Sequence, residues 1–254
     1  MKFSKLTAAV VCLSIFTGAA FAQSQTVKSQ NTKSERTVED EYLSDVEDII
    51  ITELAASEDY DNKLVALQYL ENAVNEGRSS PGMVAALDNL AGEGIKTQSR
   101  TNGRIMNNFP DVRAKACDIL AEIPTEESKN TLLAVVADDN EPMVVASAVR
   151  SLGLIGMNDE KDDVVATINF ISHKFNALNP TSSLALEVLN AYEKLAPQVT
   201  DKGPMIQSIA EIAANGRYVL PVRQKALGML RSFQTIAAGS NGSSGNTRAE
   251  AVEK

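Results

Sequence analysis

From about residue 39 to about residue 236, apolar side chains recur at spacings of three and four. Apolar–polar alternation over five or more residues is nearly absent. The chain therefore predicts helices throughout this stretch and no sheet. Five segments share one pattern, a small Ala four residues before a Leu: Ala66 and Leu70, Ala116 and Leu120, Ala148 and Leu152, Ala185 and Leu189, Ala226 and Leu230. In three of them a Val precedes the Ala by four: Val112, Val144 and Val222. A spacing of four places Val, Ala and Leu on one helical face. The small Ala lets a neighbouring helix approach, and Val and Leu fill the space around it.

The intervals between these anchor alanines are 50, 32, 37 and 41 residues. Three of the four lie near the ~33–47 residue period of two-helix repeat arrays. Each interval holds a second apolar helix: Met83–Leu90, Thr131–Ala137, Val164–Phe175 and Met205–Ala213. The first unit pairs Tyr42–Ala56 with Asp61–Asn75. The repeating unit is thus an A helix, a turn and a B helix. Pro110, Pro142 and Pro221 are placed in the first turns of B helices, where a missing N–H is no loss, and Pro81, Pro180 and Pro204 are given similar places. Gly156 and Gly216 fall where helices should end. Asp111 and Glu141 put negative charge at helix N-termini.

The two ends read differently. Lys2 and Lys5, an apolar run from Leu6 to Phe16, and Ala20-Phe21-Ala22 form a secretory leader with cleavage expected after Ala22. Cys12 is a poor lipidation site, because Val11 and Ala9 stand where a small residue and Leu belong. Residues 23–38 are polar and read as a disordered spacer, and 237–254 as a flexible tail. The repeat domain is 39–236. The expected product is exported, to the periplasm first and beyond the cell as the alternative. No other run is long enough to span a membrane. Losing the leader removes two Lys and no acid, which moves the net charge from −9 to −11. Such a chain does not attract nucleic acid or an anionic lipid surface. Cys117 is the one thiol left, so no internal disulfide forms.

Asp111-Val112-Arg113 with Ala116 and Leu120, and Pro221-Val222-Arg223 with Ala226 and Leu230, resemble the second helix of HEAT repeats. Glu141-Pro142-Met143-Val144 through Ser151-Leu152-Gly153 resembles a third unit. The resemblance covers roughly 40–235. It implies an all-α fold, a HEAT-like α-solenoid of about five antiparallel helix pairs wound as a right-handed superhelix. With the leader, the whole looks like exported HEAT-repeat proteins of spirochaetes. HEAT repeats often carry an Asp/Arg ladder between units. Arg113 and Arg223 match it, while Val145 and Ser183 stand near the corresponding places, so the ladder is expected to be incomplete. The family implies a binding scaffold and names no ligand.

Candidate chemistry is sparse. The 50-residue interval holds an insertion, 93–108, with Lys96, Arg100 and Arg104 against the single acid Glu93. It reads as a protruding contact for an acidic partner or a polysaccharide phosphate, or as a solvated connection between two helices. Asn107, Asn108 and Phe109 could instead cap and staple the next helix. Gly92-Glu93-Gly94 lacks the strand and third glycine of a phosphate loop. The acidic clusters 138–141 and 159–163 lack the spacing of a calcium loop and are assigned to turns and caps. A single His, His173, excludes a multi-His metal site. A Cys117–His173 dyad is disfavoured, since Cys117 flanks a core position and His173 a surface one. Met83, Met143, Met205 and Met229 are read as core.

The expectation is a non-catalytic, cofactor-free scaffold. It binds a protein partner through the solenoid groove and the 93–108 loop, with Lys96, Arg100, Arg104, Asn107, Asn108, Arg113 and Arg223 as candidate contacts. A structural component of the envelope or a cell-surface machine is the alternative. A lyase or chaperone-type enzyme, like the HEAT-like proteins that handle bilin pigments, is a weaker one.

Overall fold

The structure, a computed structural model, describes residues 38–158 and 163–242. The expected leader, the spacer up to residue 37, acidic residues 159–162 and the end of the tail lie outside these. Among the described residues the chain forms ten helices. They are α1 (Val38–Ala56), α2 (Tyr60–Asn75), α3 (Pro81–Ala91), α4 (Pro110–Leu120), α5 (Glu126–Asp138), α6 (Pro142–Ile155), α7 (Asp163–Leu178), α8 (Ser182–Leu195), α9 (Gly203–Ala214) and α10 (Leu220–Gly242).

The helices form five consecutive pairs in two layers. In the A layer α1, α3, α5, α7 and α9 pack each on the next, and in the B layer α2, α4, α6, α8 and α10 do the same. This is an all-α solenoid. All five anchor alanines are buried, none more than 2% exposed. Val112, Leu120, Val144 and Leu189 are fully buried beside them. The helices α6 and α8 approach one another closely at Gly153. A Cβ built on Gly153 would stand 2.7 Å from Ala191 Cα, so only glycine fits there.

Boundaries follow local chemistry. Ser80 and Thr125 accept hydrogen bonds from Met83 N–H and Ser128 N–H and cap α3 and α5. Gly156 ends α6 in the left-handed region, with φ 68°. Four expectations need correction. Pro180 does not open a helix, because Thr181 is the N-cap of α8 and Pro180 precedes it. Met143 is 52% exposed, since the first turn of α6 turns it away from the core. The helix α10 runs to Gly242, six residues into the expected tail. Extending a helix already seated on the core adds residues without a new nucleation cost, and Ala237 and Ala238 favour it.

The fourth correction is a small sheet. The insertion folds into an antiparallel ribbon of β1 (Arg100–Thr101) and β2 (Arg104–Ile105). Asn102 and Gly103 between them have φ of 52° and 80°. Positive φ at both central residues is the tight hairpin turn whose twist matches the strands, and Asn-Gly is its preferred pair. Two-residue strands are too short for an alternation test, but this dipeptide was the available signal.

Candidate functional site

The sequence candidates divide into one buried network and one exposed hairpin. Arg113, three residues before the anchor Ala116, is fully buried on α4. Its Nε donates to Asp139 Oδ2 at 2.7 Å, in the next unit. Its Nη1 donates to the Glu93 carbonyl at 3.1 Å and to Asn108 Oδ1 at 2.9 Å. Asp139 Oδ1 also accepts from Glu141 N–H, so one carboxylate holds the turn before α6 and the guanidinium together. A cluster assigned to turn chemistry alone therefore contains a buried ion pair.

The rung before it is Lys63–Glu93. Lys63 is three residues before Ala66, as Arg113 is before Ala116. Its Nζ donates to Glu93 Oε2 at 2.8 Å and to the Ala55 carbonyl at 3.1 Å. The same register would have revealed Lys63 in the sequence. Two later positions break the ladder: Val145 is apolar and buried, and Ser182, rather than Ser183, holds the next equivalent place. Ser182 Oγ accepts from Val219 N–H of the following unit at 3.1 Å, a neutral rung. Arg223 closes the series by donating from Nε to the Ala213 carbonyl at 3.2 Å, at the end of α9.

Asn107 ties the insertion to this network. Its side-chain amide donates to Glu93 Oε1 at 2.6 Å and to the Thr97 carbonyl at 2.7 Å, and its oxygen accepts from Ser99 N–H at 2.9 Å. Asn107 and Arg113 are thus interior groups that fix the base of the loop, and the side-chain oxygen of Asn108 is engaged by Arg113. Phe109 is the N-cap residue of α4 without a capping side-chain bond. Its ring packs on Tyr60 with centroids 5.0 Å apart, and the Tyr60 hydroxyl donates to Asp111.

The remaining cations reach the surface. Lys96 Nζ pairs with Asp88 at 2.7 Å. Partial burial raises the Asp88 carboxyl, but the bonds from Lys96 and the Thr131 hydroxyl outweigh it and hold the pKa below the ordinary range. Arg100 is exposed and donates to Gln98 and the Gly103 carbonyl, which orders the hairpin. Arg104 is exposed on the facing strand.

A second ladder, absent from the sequence reading, crosses the outer face of the B layer. Lys115 pairs with Glu71, linking α4 to α2. Arg150 pairs with Asp118 at 2.5 Å and with Glu187 at 3.8 Å, linking α6 to α4 and α8. Lys225 pairs with Glu193 at 2.9 Å and donates to Asn190 Oδ1 at 2.6 Å, linking α10 to α8. Every junction in the layer is crossed. Between α2 and α4 this face holds a depression of about 320 Å³ lined by Glu71, Val74, Lys115, Asp118, Ile119 and Glu122.

The family model of HEAT repeats matches residues 104–169, from the second strand of the hairpin into α7. That stretch is similar to HEAT repeats. No curated protein and no solved structure matches the chain. HEAT repeats commonly mediate protein interactions, so the coarse reading is a helical scaffold. Among the described residues no helix is long and apolar enough to cross a membrane, and no group of three or more His, Cys, Asp or Glu is placed to hold a metal ion. Cys117 is fully buried. Burial, then the nearby charges of Asp118 and Asp139, push its thiol well above the ordinary range. His173 Nδ1 lies 2.7 Å from Glu211 Oε2, on the α7–α9 side.

Proposed function

We propose that this HEAT-repeat protein is an exported, non-catalytic scaffold, akin to exported relatives in spirochaetes, that holds a protein segment against the outer face of its B layer. The observation that carries this reading is the ladder of charges from Glu71 to Lys225. Its members pair with one another across every junction. A face braced in this way is ordered before a partner arrives, which lowers the entropy lost on docking. The depression between α2 and α4 carries three carboxylates and one ammonium, and fits a lysine or arginine of the partner. The exposed Arg100 and Arg104 offer a second contact for acidic residues of the same partner. A buried thiol with a raised pKa is a poor nucleophile, which supports the non-catalytic part of the reading.

The test is affinity capture from the source cell followed by mass spectrometry, with three baits. The parent chain should retain a partner. Glu122→Lys should lose it, and Arg100→Glu with Arg104→Glu should weaken it. A partner retained equally by all three would remove this face and the hairpin from the binding surface.

A further inference from the structure

Among the described residues, the two ends of the solenoid carry repeat-stacking positions that have no neighbouring unit to stack on. Lys115, one residue before its anchor, reaches back to the preceding B helix, so that side of each helix faces backwards. Inside the array the position three after the anchor lies on the same side and is buried: Ile119 at 4%, Ser151 at 0% and Val188 at 1%. On α2 the same position is Tyr69, 41% exposed, and Val65, one before the anchor, is 44% exposed. On α1 beside them Tyr42 and Ile49, seven apart and so on one face, are 68% and 60% exposed. At the other end the forward-facing position is the one after the anchor. It is buried in α4 and α6, as Cys117 and Val149, but rises to 36% exposed in α8, as Leu186, and to 44% in α10, as Leu227, where Val219 and Leu220 beside the helix start are 53% and 61% exposed as well. Terminal repeats of a solitary solenoid present polar outer faces. These two do not.

Charge distinguishes the ends. Residues 38–75 hold eleven Asp and Glu against the single base Lys63. Residues 203–233 hold Arg217, Arg223, Lys225 and Arg231 against the single acid Glu211, with Lys225 turned back onto Glu193 of α8 and the three arginines left to the end unit. The first unit thus carries a net charge of −10 and the last a net charge of +3.

We infer that the occupant of each end is a second copy of this chain, the acidic α1–α2 face of one copy stacking on the basic α9–α10 face of the next. The contact reuses the packing that joins units within the chain, and opposite charges select front-to-back over front-to-front. Such a contact is heterologous, and it leaves one face of each kind open on the assembly. This goes beyond the scaffold reading and does not use the B-layer face.

Sedimentation of the full chain tests it, at concentrations up to about 200 µM, which would populate a contact with a dissociation constant in the micromolar range. The parent chain should associate, and raising salt from about 0.05 to about 0.5 M should weaken association at least about tenfold. Tyr69→Lys spoils the front face and Leu227→Glu the back. Each variant alone should stay monomeric with an unchanged helical circular dichroism spectrum. Mixed, they should form a one-to-one dimer and nothing larger, because each keeps the face the other lacks. A parent chain that remains monomeric overturns the inference without any variant. Self-association of either variant at parental strength also overturns it, and neither result touches the capture experiment on the B-layer face.

Discussion

Arg113 and Asp139 sit 26 residues apart in sequence, yet their side chains meet at 2.7 Å with 1% and 2% exposure. The pair joins the second unit to the third, and it does so away from water. Removing one partner of such a pair leaves a buried charge uncompensated and costs about 3–5 kcal/mol. Asp139→Ala and Arg113→Met should each lower unfolding free energy by about that much in urea titrations. The double variant should lose less than the sum of the singles, because it leaves no orphaned charge. It should not return to parental stability, because Glu93 and Asn108 also lose their donor. Additive losses would mean that the two side chains do not stabilise one another.

The base of the insertion makes a separate prediction. Asn107→Ala withdraws two donors and one acceptor, leaving Glu93 Oε1, the Thr97 carbonyl and Ser99 N–H short of partners. Unsatisfied buried groups cost about 1–3 kcal/mol each way they are counted, so a loss in that range is expected. Reversing Arg100 and Arg104 at the tip should leave the melting temperature nearly unchanged. Equal effects from base and tip would contradict the division between an interior base and an exposed hairpin.

The legible part of this molecule is the part set by helical periodicity. Anchors such as Ala116 and Ala148 recur because each unit must solve the same packing problem, so the two-layer plan could be read from spacing alone. The pairing of Arg113 with Asp139 was half legible. The arginine stood in register, but its acid lay in a run of polar residues that turn chemistry explained equally well. Lys63–Glu93 carries a weaker signal, because lysine replaces arginine and the insertion shifts its acid. The surface ladder through Arg150 depends on which helices become neighbours, and no local pattern encodes that. The hairpin escaped because two-residue strands carry no alternation, although Asn102-Gly103 announced the turn.

Two glycines should respond in opposite directions to the same substitution. In an open helix interior, Gly→Ala stabilises by about 0.5–1 kcal/mol through backbone entropy and helix propensity. Gly228 in α10 has nothing within 4 Å of an added Cβ, so Gly228→Ala should stabilise. Gly153 in α6 has Ala191 Cα at 2.7 Å from that point and Ala191 Cβ at 2.9 Å. Both helices are held by packing on several neighbours, so the clash cannot be relieved by a side-chain rotation. Gly153→Ala should therefore lose about 1–3 kcal/mol despite its better propensity. Thermal melts of the two variants beside the parent decide this. A stabilised Gly153→Ala would mean that α6 and α8 are farther apart than described.

Alkaline pH should act through Cys117. Its thiol is neutral and buried in the folded chain, with a pKa pushed up from the ordinary value of 9.0 by burial and by the charges of Asp118 and Asp139. Unfolding returns it to water, where it ionises in its usual range. The unfolded state thus releases a proton that the folded state keeps, and stability falls as pH rises through the unfolded value. The limiting slope for one group is about 1.4 kcal/mol per pH unit. The contribution is fully present at pH 7 and declines from about pH 8.5 upward. Urea titrations between pH 7 and 9.5 should show this decline in the parent and a flatter profile in Cys117→Ala, which starts from a lower stability because of the small cavity. Native-state labelling with a thiol reagent gives the independent check. Its rate should follow unfolding, rising with urea and lying at every pH far below that of an exposed thiol. Parallel profiles for parent and variant would assign the alkaline loss to other groups, such as Tyr192, which burial also pushes up.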